Sequence, residues 1–98
     1  MNDHEIVRAL KALADPTRFR MVQEIAVAGE LSCGEVAKRF DVSQPTVSHH
    51  LKILADSGLL IRRTEGKLHF TSVNAALLRR LGELLPVRLS SEKGRPAR

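Results

Sequence analysis

The chain is poor in aromatic residues and in cysteine. Its 98 residues include no tryptophan, no tyrosine and three phenylalanines, and Cys33 is its single cysteine. One thiol excludes an internal disulfide and any metal site built from several thiolates of one chain. No apolar run approaches the ~18 residues of a membrane-spanning helix. The N-terminus begins with polar residues and lacks the basic-then-apolar order of a signal peptide. We therefore expect a cytoplasmic protein without a membrane segment.

Patterns typical of catalysis and of metal binding are missing as well. The sequence has no glycine-rich phosphate loop, and its serines, histidines and cysteine form no recognisable pairing of nucleophile and base. The histidines lie in different predicted elements and lack the spacing of zinc or nickel ligands. We expect neither an enzyme nor a cofactor nor a metal site. The histidines are His4, His49, His50 and His69.

Positive charge is concentrated in the C-terminal part of the chain. The formal net charge is +5. Residues 1–60 hold seven Lys/Arg against eight Asp/Glu, whereas residues 61–98 hold nine against three. Lysines and arginines that neutralise phosphates supply most non-specific affinity for nucleic acid, so this asymmetry suggests a polyanionic partner. On charge alone, a solvated basic surface with a basic tail explains the sequence equally well.

Helical spacing of apolar residues predicts two helices in the first third of the chain. The first covers residues 5–14. The second begins with Asp15 as N-cap and Pro16 in its first turn, and it ends near Ala28 because Gly29 follows. The apolar residues that make the first helix amphipathic are Ile6, Val7, Leu10, Leu13 and Ala14, and the predicted inward residues of the second are Phe19, Val22, Ile25 and Ala26.

Capping residues predict two further helices separated by a short turn. Ser32 and Glu35 have the spacing of a capping box, which starts a third helix that ends near Phe40. Ser43 is the predicted N-cap of a fourth helix that ends at Asp56. A short helix, a tight connection and a second capped helix form a helix-turn-helix.

The rest of the chain predicts a β-hairpin, a fifth helix and a tail. Residues 59–63 and 68–73 have the composition of strands, and residues 64–67 would form the turn. Asn74 caps a leucine-rich fifth helix that ends at Pro86. The fold class is therefore mainly α with a small β-hairpin, that is, a winged helix-turn-helix domain over residues 1–87, followed by a basic disordered tail over residues 88–98.

The leucines of the fifth helix exceed what a lone helix on a small domain needs to bury. We therefore expect the first and fifth helices to form a homodimer interface. Its predicted residues are Ile6, Leu10, Leu77, Leu78, Leu81, Leu84 and Leu85.

The fourth helix has one apolar stripe and one polar face, as expected of a helix that enters a DNA groove. Val47, Leu51 and Leu54 form the buried stripe. The first residues of a recognition helix lie deepest in the major groove, where Gln, Ser, Thr and His can bind base edges. The predicted base readers are Gln44, Thr46, Ser48 and His49, whereas Ser43 and Lys52 would meet phosphates and His50 would be packed and hydrogen-bonded.

Four residues of the hairpin have the chemistry to hold the DNA backbone or to enter a minor groove. Any one of them could be an ordinary solvated side chain, and only the cluster is informative. They are Arg62, Arg63, Lys67 and His69.

Three segments of the sequence resemble the ArsR/SmtB family of bacterial winged-helix repressors: residues 13–21, residues 29–31 and residues 43–59, which contain Ser43-Gln-Pro-Thr-Val-Ser-His-His-Leu. The resemblance covers residues 5–85. It implies a homodimer formed by the first and fifth helices, bound to a palindromic DNA operator and released from it by a signal. It also implies that Arg18 is a structural residue of the second helix.

This sequence departs from the family pattern at the residues that would sense a regulatory signal. Thiol-type metal sensors of the family carry two cysteines at the start of the third helix, but here Ser32 and Gly34 occupy those places with Cys33 between them. The other familiar metal site of the family lies on the last helix and uses Asp, Glu and His ligands. Here residues 75–85 offer only Glu83 as such a ligand. The leading interpretation is an autoregulatory repressor that does not respond to metal, acting on double-stranded DNA with an unknown small effector or protein partner.

Three alternatives stay open. Cys33 lies near a helix start, where a thiolate is favoured, and could make the repressor redox-responsive. A metal site between subunits that involves His4 could make it metal-responsive. A winged helix can also serve as a protein-interaction module, although the polar outward face of the fourth helix favours DNA.

Overall fold

The computed structural model describes residues 2–84. It confirms a winged helix-turn-helix fold of five helices and a small antiparallel sheet. The elements follow the order α1 (Asp3–Leu13), α2 (Pro16–Ala28), β1 (Leu31–Ser32), α3 (Cys33–Phe40), α4 (Gln44–Asp56), β2 (Leu60–Glu65), β3 (Leu68–Val73) and α5 (Ala75–Leu84).

α2, α3 and α4 begin and end where their capping residues predict, whereas α1 begins at Asp3, two residues earlier than predicted, because Asn2 and Glu5 form a capping box. The Asp15 side chain accepts from the Arg18 backbone N–H at 3.0 Å, and Gly29 ends α2 with a φ of 89°. Ser32 and Glu35 form the predicted capping box of α3. The turn into α4 contains Asp41 at φ 54°, a left-handed conformation that aspartate tolerates better than most residues.

The sheet contains one strand that the sequence did not predict. β1 has only two residues and pairs antiparallel with β3, so the strand order is β1-β3-β2. The turn between β2 and β3 is also tighter than predicted, since β2 extends to Glu65 and only Gly66 and Lys67 connect the strands. Gly66 has a φ of 61°, a conformation that glycine adopts without steric cost. The short strand attaches the middle of β3 to the start of α3.

All five helices and the sheet contribute buried residues to the hydrophobic core. Val47, Leu51 and Leu54 are buried, which confirms the predicted stripe of α4. Two inward predictions for α2 were wrong: Phe19 is 50% exposed and Ala26 is exposed, while Met21 fills the core instead. The largest fully buried side chains are Met21, Ile25, Leu51, Leu54, Leu59, Val36 and Val47.

The apolar residues of α1 differ in their burial. Ala9 and Ala12 are its buried residues, whereas Val7 and Leu10 are exposed in the protomer. Small alanines allow α1 to approach the core closely, and the larger Val7 and Leu10 lie nearly on the opposite face of the helix. The helical periodicity was correct, but α1 carries apolar residues on two faces.

Several predictions fall on residues outside 2–84. These are Leu85, the helix end at Pro86, the domain boundary at residue 87 and the tail over residues 88–98. Within residues 2–84, none of the helices is both long enough and apolar enough to cross a bilayer.

Candidate nucleic-acid interface

The N-terminal half of α4 presents a polar, exposed surface on a rigid base. The Ser43 hydroxyl accepts from the Thr46 backbone N–H at 3.3 Å and lies 2.9 Å from the Thr46 hydroxyl, which defines the first turn. Pro45 fits in this turn because its missing N–H has no helical partner there. All of the residues that the sequence assigned to DNA on this helix are exposed: Ser43, Gln44, Thr46, Ser48, His49 and Lys52.

His50 and Arg18 connect the recognition helix to the junction between α1 and α2. The Arg18 Nε donates to the Ala12 carbonyl at 2.7 Å, and its Nη1 lies 3.4 Å from the His50 Nδ1. His50 is half-buried. These contacts agree with a packed His50 and with a structural rather than a DNA-contacting Arg18.

Lys52 already has an acidic partner on its own helix. Its Nζ lies 2.9 Å from the Asp56 Oδ2, one helical turn away, and the Lys52 side chain is 68% exposed. The hydrogen bond from Lys52 holds the pKa of Asp56 below its usual range. An exposed pair of this kind is weak, so Lys52 can exchange Asp56 for a phosphate.

The wing separates the two arginines that are neighbours in sequence. Successive strand residues point to opposite faces, so Arg62 and Arg63 lie on different sides of the hairpin. Arg63 donates to both carboxylate oxygens of Glu30, at 3.0 and 2.9 Å, and its guanidinium lies 4.5 Å from the centre of the Phe70 ring. Its Nη1 also lies 3.5 Å from a Glu65 carboxylate oxygen. Arg63 is therefore engaged within the protomer.

Arg62 lies on the side of the wing that faces the recognition helix. A cavity of about 430 Å³ separates the two, and we call it the wing cleft. Within the cleft the Thr64 hydroxyl is 3.5 Å from the His69 Nδ1. The lining residues are Cys33, Ser48, Arg62, Thr64 and His69.

The cleft brings together residues that the sequence assigned to separate roles. Ser48 was predicted as a base reader, Arg62 and His69 as backbone contacts, and Cys33 as a candidate redox group. Thr64 was missed, although the two-residue repeat of a strand places it on the same face as Arg62. Lys67 lies in the turn and lines an adjoining cavity of about 230 Å³ next to Gln44. No local sequence pattern indicated Glu30 as the partner of Arg63.

The predicted dimer residues fall into buried and exposed groups. Leu77 and Leu81 are buried in the core of the protomer, and Ile6 and Leu78 pack against that core. Leu10 and Leu84 remain 38% and 46% exposed.

Metal donors are dispersed in the part of the chain that the structure describes. No three His, Cys, Asp or Glu side chains among residues 2–84 lie close enough together to hold a metal ion.

A capped polar helix, a basic wing beside it and a helix-turn-helix core define a winged helix-turn-helix protein of the DNA-binding class. Residues 13–63 match the family model for a helix-turn-helix domain. The chain is 33% identical over 94 residues to the arsenical resistance operon repressor of Staphylococcus xylosus. That alignment covers 96% of this chain and 89% of the repressor. It is 34% identical over 68 residues to the transcriptional repressor SdpR of Bacillus subtilis, over 69% of this chain and 74% of that one.

A solved structure shows the same fold. It is the homodimeric winged helix-turn-helix DNA-binding domain of a possible ArsR-family regulator from Mycobacterium bovis, with a TM-score of 0.74, 22% identity, and coverage of 94% of this chain and 89% of that one. The relatives found by sequence are themselves named as repressors, so they indicate the family of this chain as well as its fold. The chain belongs to the ArsR/SmtB family of DNA-binding transcriptional repressors.

Proposed function

We propose that the protein is a sequence-specific repressor that binds an inverted-repeat operator as a homodimer, regulates its own synthesis and does not require a metal. The polar N-terminal half of α4 beside the wing cleft is the observation that carries this proposal. Its exposed residues include amide, hydroxyl and imidazole groups, which match base edges in the major groove. A DNA partner would also place the protein in the bacterial cytoplasm.

The proposed role of each DNA-contacting residue follows from its position on α4 or on the wing. Gln44, Ser48 and His49 lie near the N-terminus of α4, which enters the groove deepest in helix-turn-helix proteins. Arg62 and His69 line the opposite wall of the wing cleft, where they would meet the DNA backbone. The two recognition helices of a dimer would then bind half-sites about 10 base pairs apart, centre to centre, or a multiple of that distance.

The test is binding of the purified protein to DNA from its own promoter at fixed salt. We expect Gln44→Ala and Ser48→Ala each to cost ~1–3 kcal/mol per lost base contact and to relax the sequence preference. Gln23→Ala is the matched control, because Gln23 is exposed on α2 and outside the proposed interface. If Gln44→Ala and Ser48→Ala both retain affinity and preference, these residues do not read bases.

Independence from metal is tested in the same assay with zinc and with a chelator. The proposal is supported by Ser32 and Gly34, which occupy the places where thiol-type sensors of the family carry cysteines. We expect the same affinity under both conditions. Loss of binding with zinc would show that the repressor responds to metal.

A redox-responsive repressor is the second candidate, and the position of Cys33 favours it. Cys33 is half-buried and lines the wing cleft. A bulky or charged oxidation product there would obstruct DNA. We would measure promoter binding with and without thiol oxidant in the wild type and in Cys33→Ser. Equal binding throughout would reject this candidate.

A further inference from the structure

A second cavity lies away from the wing cleft, at the opposite end of the recognition helix. It has a volume of about 490 Å³, within the range of small-molecule pockets. Its walls come from α1, from the residues that end α4 and from the first turns of α5. Arg8, Gly58, Leu77 and Arg80 are among its lining residues.

Two arginines and two carboxylates line this cavity, Arg8 and Arg80 with Glu5 and Asp56. The Glu5 Oε1 accepts from the Asn2 backbone N–H at 2.8 Å, and the Asp56 Oδ2 lies 2.9 Å from the Lys52 Nζ. The positive charge of Arg8 also helps to lower the pKa of Asp56. Within residues 2–84, no ion pair joins Arg8 or Arg80 to a carboxylate. Guanidinium groups match carboxylates in geometry and can bind them through two parallel hydrogen bonds.

The remaining wall groups are either apolar or already hydrogen-bonded. The Ser57 hydroxyl donates to the Leu54 carbonyl at 2.8 Å, and the Asn74 Nδ2 donates to the Gly58 carbonyl at 2.9 Å. A Cβ added to Gly58 would lie 3.3 Å from the Leu77 Cδ2, so the glycine keeps this part of the wall open. The cavity therefore offers two arginines together with an apolar wall that includes Ala76 and Leu77.

We propose that this cavity binds a small organic monocarboxylate as an effector. The carboxylate would lie between Arg8 and Arg80, and the apolar body would pack against Ala76 and Leu77. Such a ligand would contact both helices of the proposed dimer interface and lie beside the C-terminal end of α4. Because a ligand that favours one arrangement of these helices shifts the equilibrium towards it, ligand and DNA would affect each other's binding reciprocally. This regulatory step rests on the proposed DNA-binding function.

Ligand binding is tested first on the protein without DNA. Benzoate and hexanoate are titrated while backbone amide resonances are followed by NMR, with benzyl alcohol and hexan-1-ol as uncharged counterparts. We expect the carboxylates to shift the amides of Gly58, Ala76 and Leu77 and to bind about tenfold or more tightly than the alcohols. Absence of these shifts, or equal binding of acids and alcohols, would overturn the proposal.

Variants test the role of the two arginines. Arg8→Gln and Arg80→Gln should each weaken carboxylate binding about tenfold or more, whereas Arg79→Gln should not, because Arg79 is an exposed neighbour that does not line the cavity. Amide spectra of the unliganded variants show that each is folded. Unchanged binding in both cavity variants would also overturn the proposal.

Regulation is tested by adding saturating benzoate or hexanoate to the complex with promoter DNA. We expect a change in DNA affinity that Arg80→Gln abolishes. Carboxylate binding at these amides without any effect on DNA affinity would show that the regulatory step is wrong. A protein that binds carboxylate but no promoter DNA would instead overturn the proposed function alone.

Discussion

At the scale of single residues, alternation along β2 decides which arginine is available to DNA. Arg62 and Arg63 are equivalent in charge and adjacent in sequence, and the sequence alone grouped them together. In the structure Arg63 is held by Glu30 on one side of the wing, while Arg62 lines the wing cleft on the other. Residue type predicted the basic cluster, but the pairing with Glu30 depends on a contact 33 positions away along the chain.

This difference predicts unequal effects of two matched substitutions on DNA binding. Arg62→Gln should weaken binding to all sequences and reduce the slope of log affinity against log salt by about 1, the effect of one lost phosphate contact. Arg63→Gln should leave the slope near the wild-type value, because its guanidinium is already paired. A salt titration of both variants measures this. Equal slopes for the two variants would contradict the assignment of Arg62.

The pair of Glu30 and Arg63 also predicts a dependence of stability on pH. Hydrogen bonds from Arg63 hold the pKa of Glu30 below its usual range. A carboxyl with a lowered pKa in the fold stabilises it above the unfolded pKa, and this contribution is lost as pH falls through the folded pKa. Glu30→Gln should therefore be destabilising at pH 7, and the difference should disappear as pH falls below the usual pKa of a glutamate and through the lowered folded value.

Urea unfolding at pH 7 and pH 3 measures that difference. The control is Glu30→Gln in an Arg63→Gln background, where the substitution should have no pH-dependent cost. A pH dependence that persists in this background would show that another group is responsible.

At the scale of helices and strands, the features that could be predicted from the sequence are those that depend on residues close together in the chain. Asp15, Ser32 and Ser43 are N-caps as predicted, because a cap is set by residues three positions apart. β1 could not be predicted in this way, since two residues form a strand only by pairing with β3. Phe19 was wrongly placed in the core because periodicity identifies an apolar face without showing which neighbour covers it.

The cap of α3 gives a prediction about stability. Ser32→Ala removes the hydroxyl that accepts from the Glu35 backbone N–H at 3.1 Å, and it should cost ~1 kcal/mol in the free energy of unfolding. Ser32→Asp should retain most of this stability, because its carboxylate can accept the same hydrogen bond. Urea denaturation of the three proteins compares these values. If the alanine and aspartate variants are equally stable, the cap does not stabilise the fold.

At the scale of the whole molecule, exposed apolar side chains on α1 and α5 support a dimer. Ala9 and Ala12 face the protomer's own core, while Val7 and Leu10 lie nearly on the opposite side of the helix, roughly 160° further round. Leu84 is exposed on α5. A helix with apolar residues on two faces is suited to lie between its own core and a partner. Leu77 and Leu81 contribute by anchoring α5 to the protomer.

Charge substitutions on these helices test the dimer. Leu10→Lys and Leu84→Lys should each shift the protein from dimer towards monomer and lower its affinity for a full operator, because a buried lysine at the interface would lose its hydration. Val27→Lys is the control, since Val27 is 89% exposed at the end of α2. Sedimentation equilibrium gives the molar mass. Variants that stay as dimeric as the control would show that the interface lies elsewhere.

The pairing of β1 with β3 makes the wing a fixed extension of the helix-turn-helix. Because the middle of β3 is paired with β1 next to the start of α3, and Arg62 lies opposite Thr71 in that part of the sheet, the spacing between Arg62 and the recognition helix is set before DNA binds. The distance between the two DNA contacts, Arg62 on the wing and the recognition helix, is therefore constant. Operators whose grooves already have the matching width would bind with little deformation, so base pairs that no side chain touches would still influence affinity.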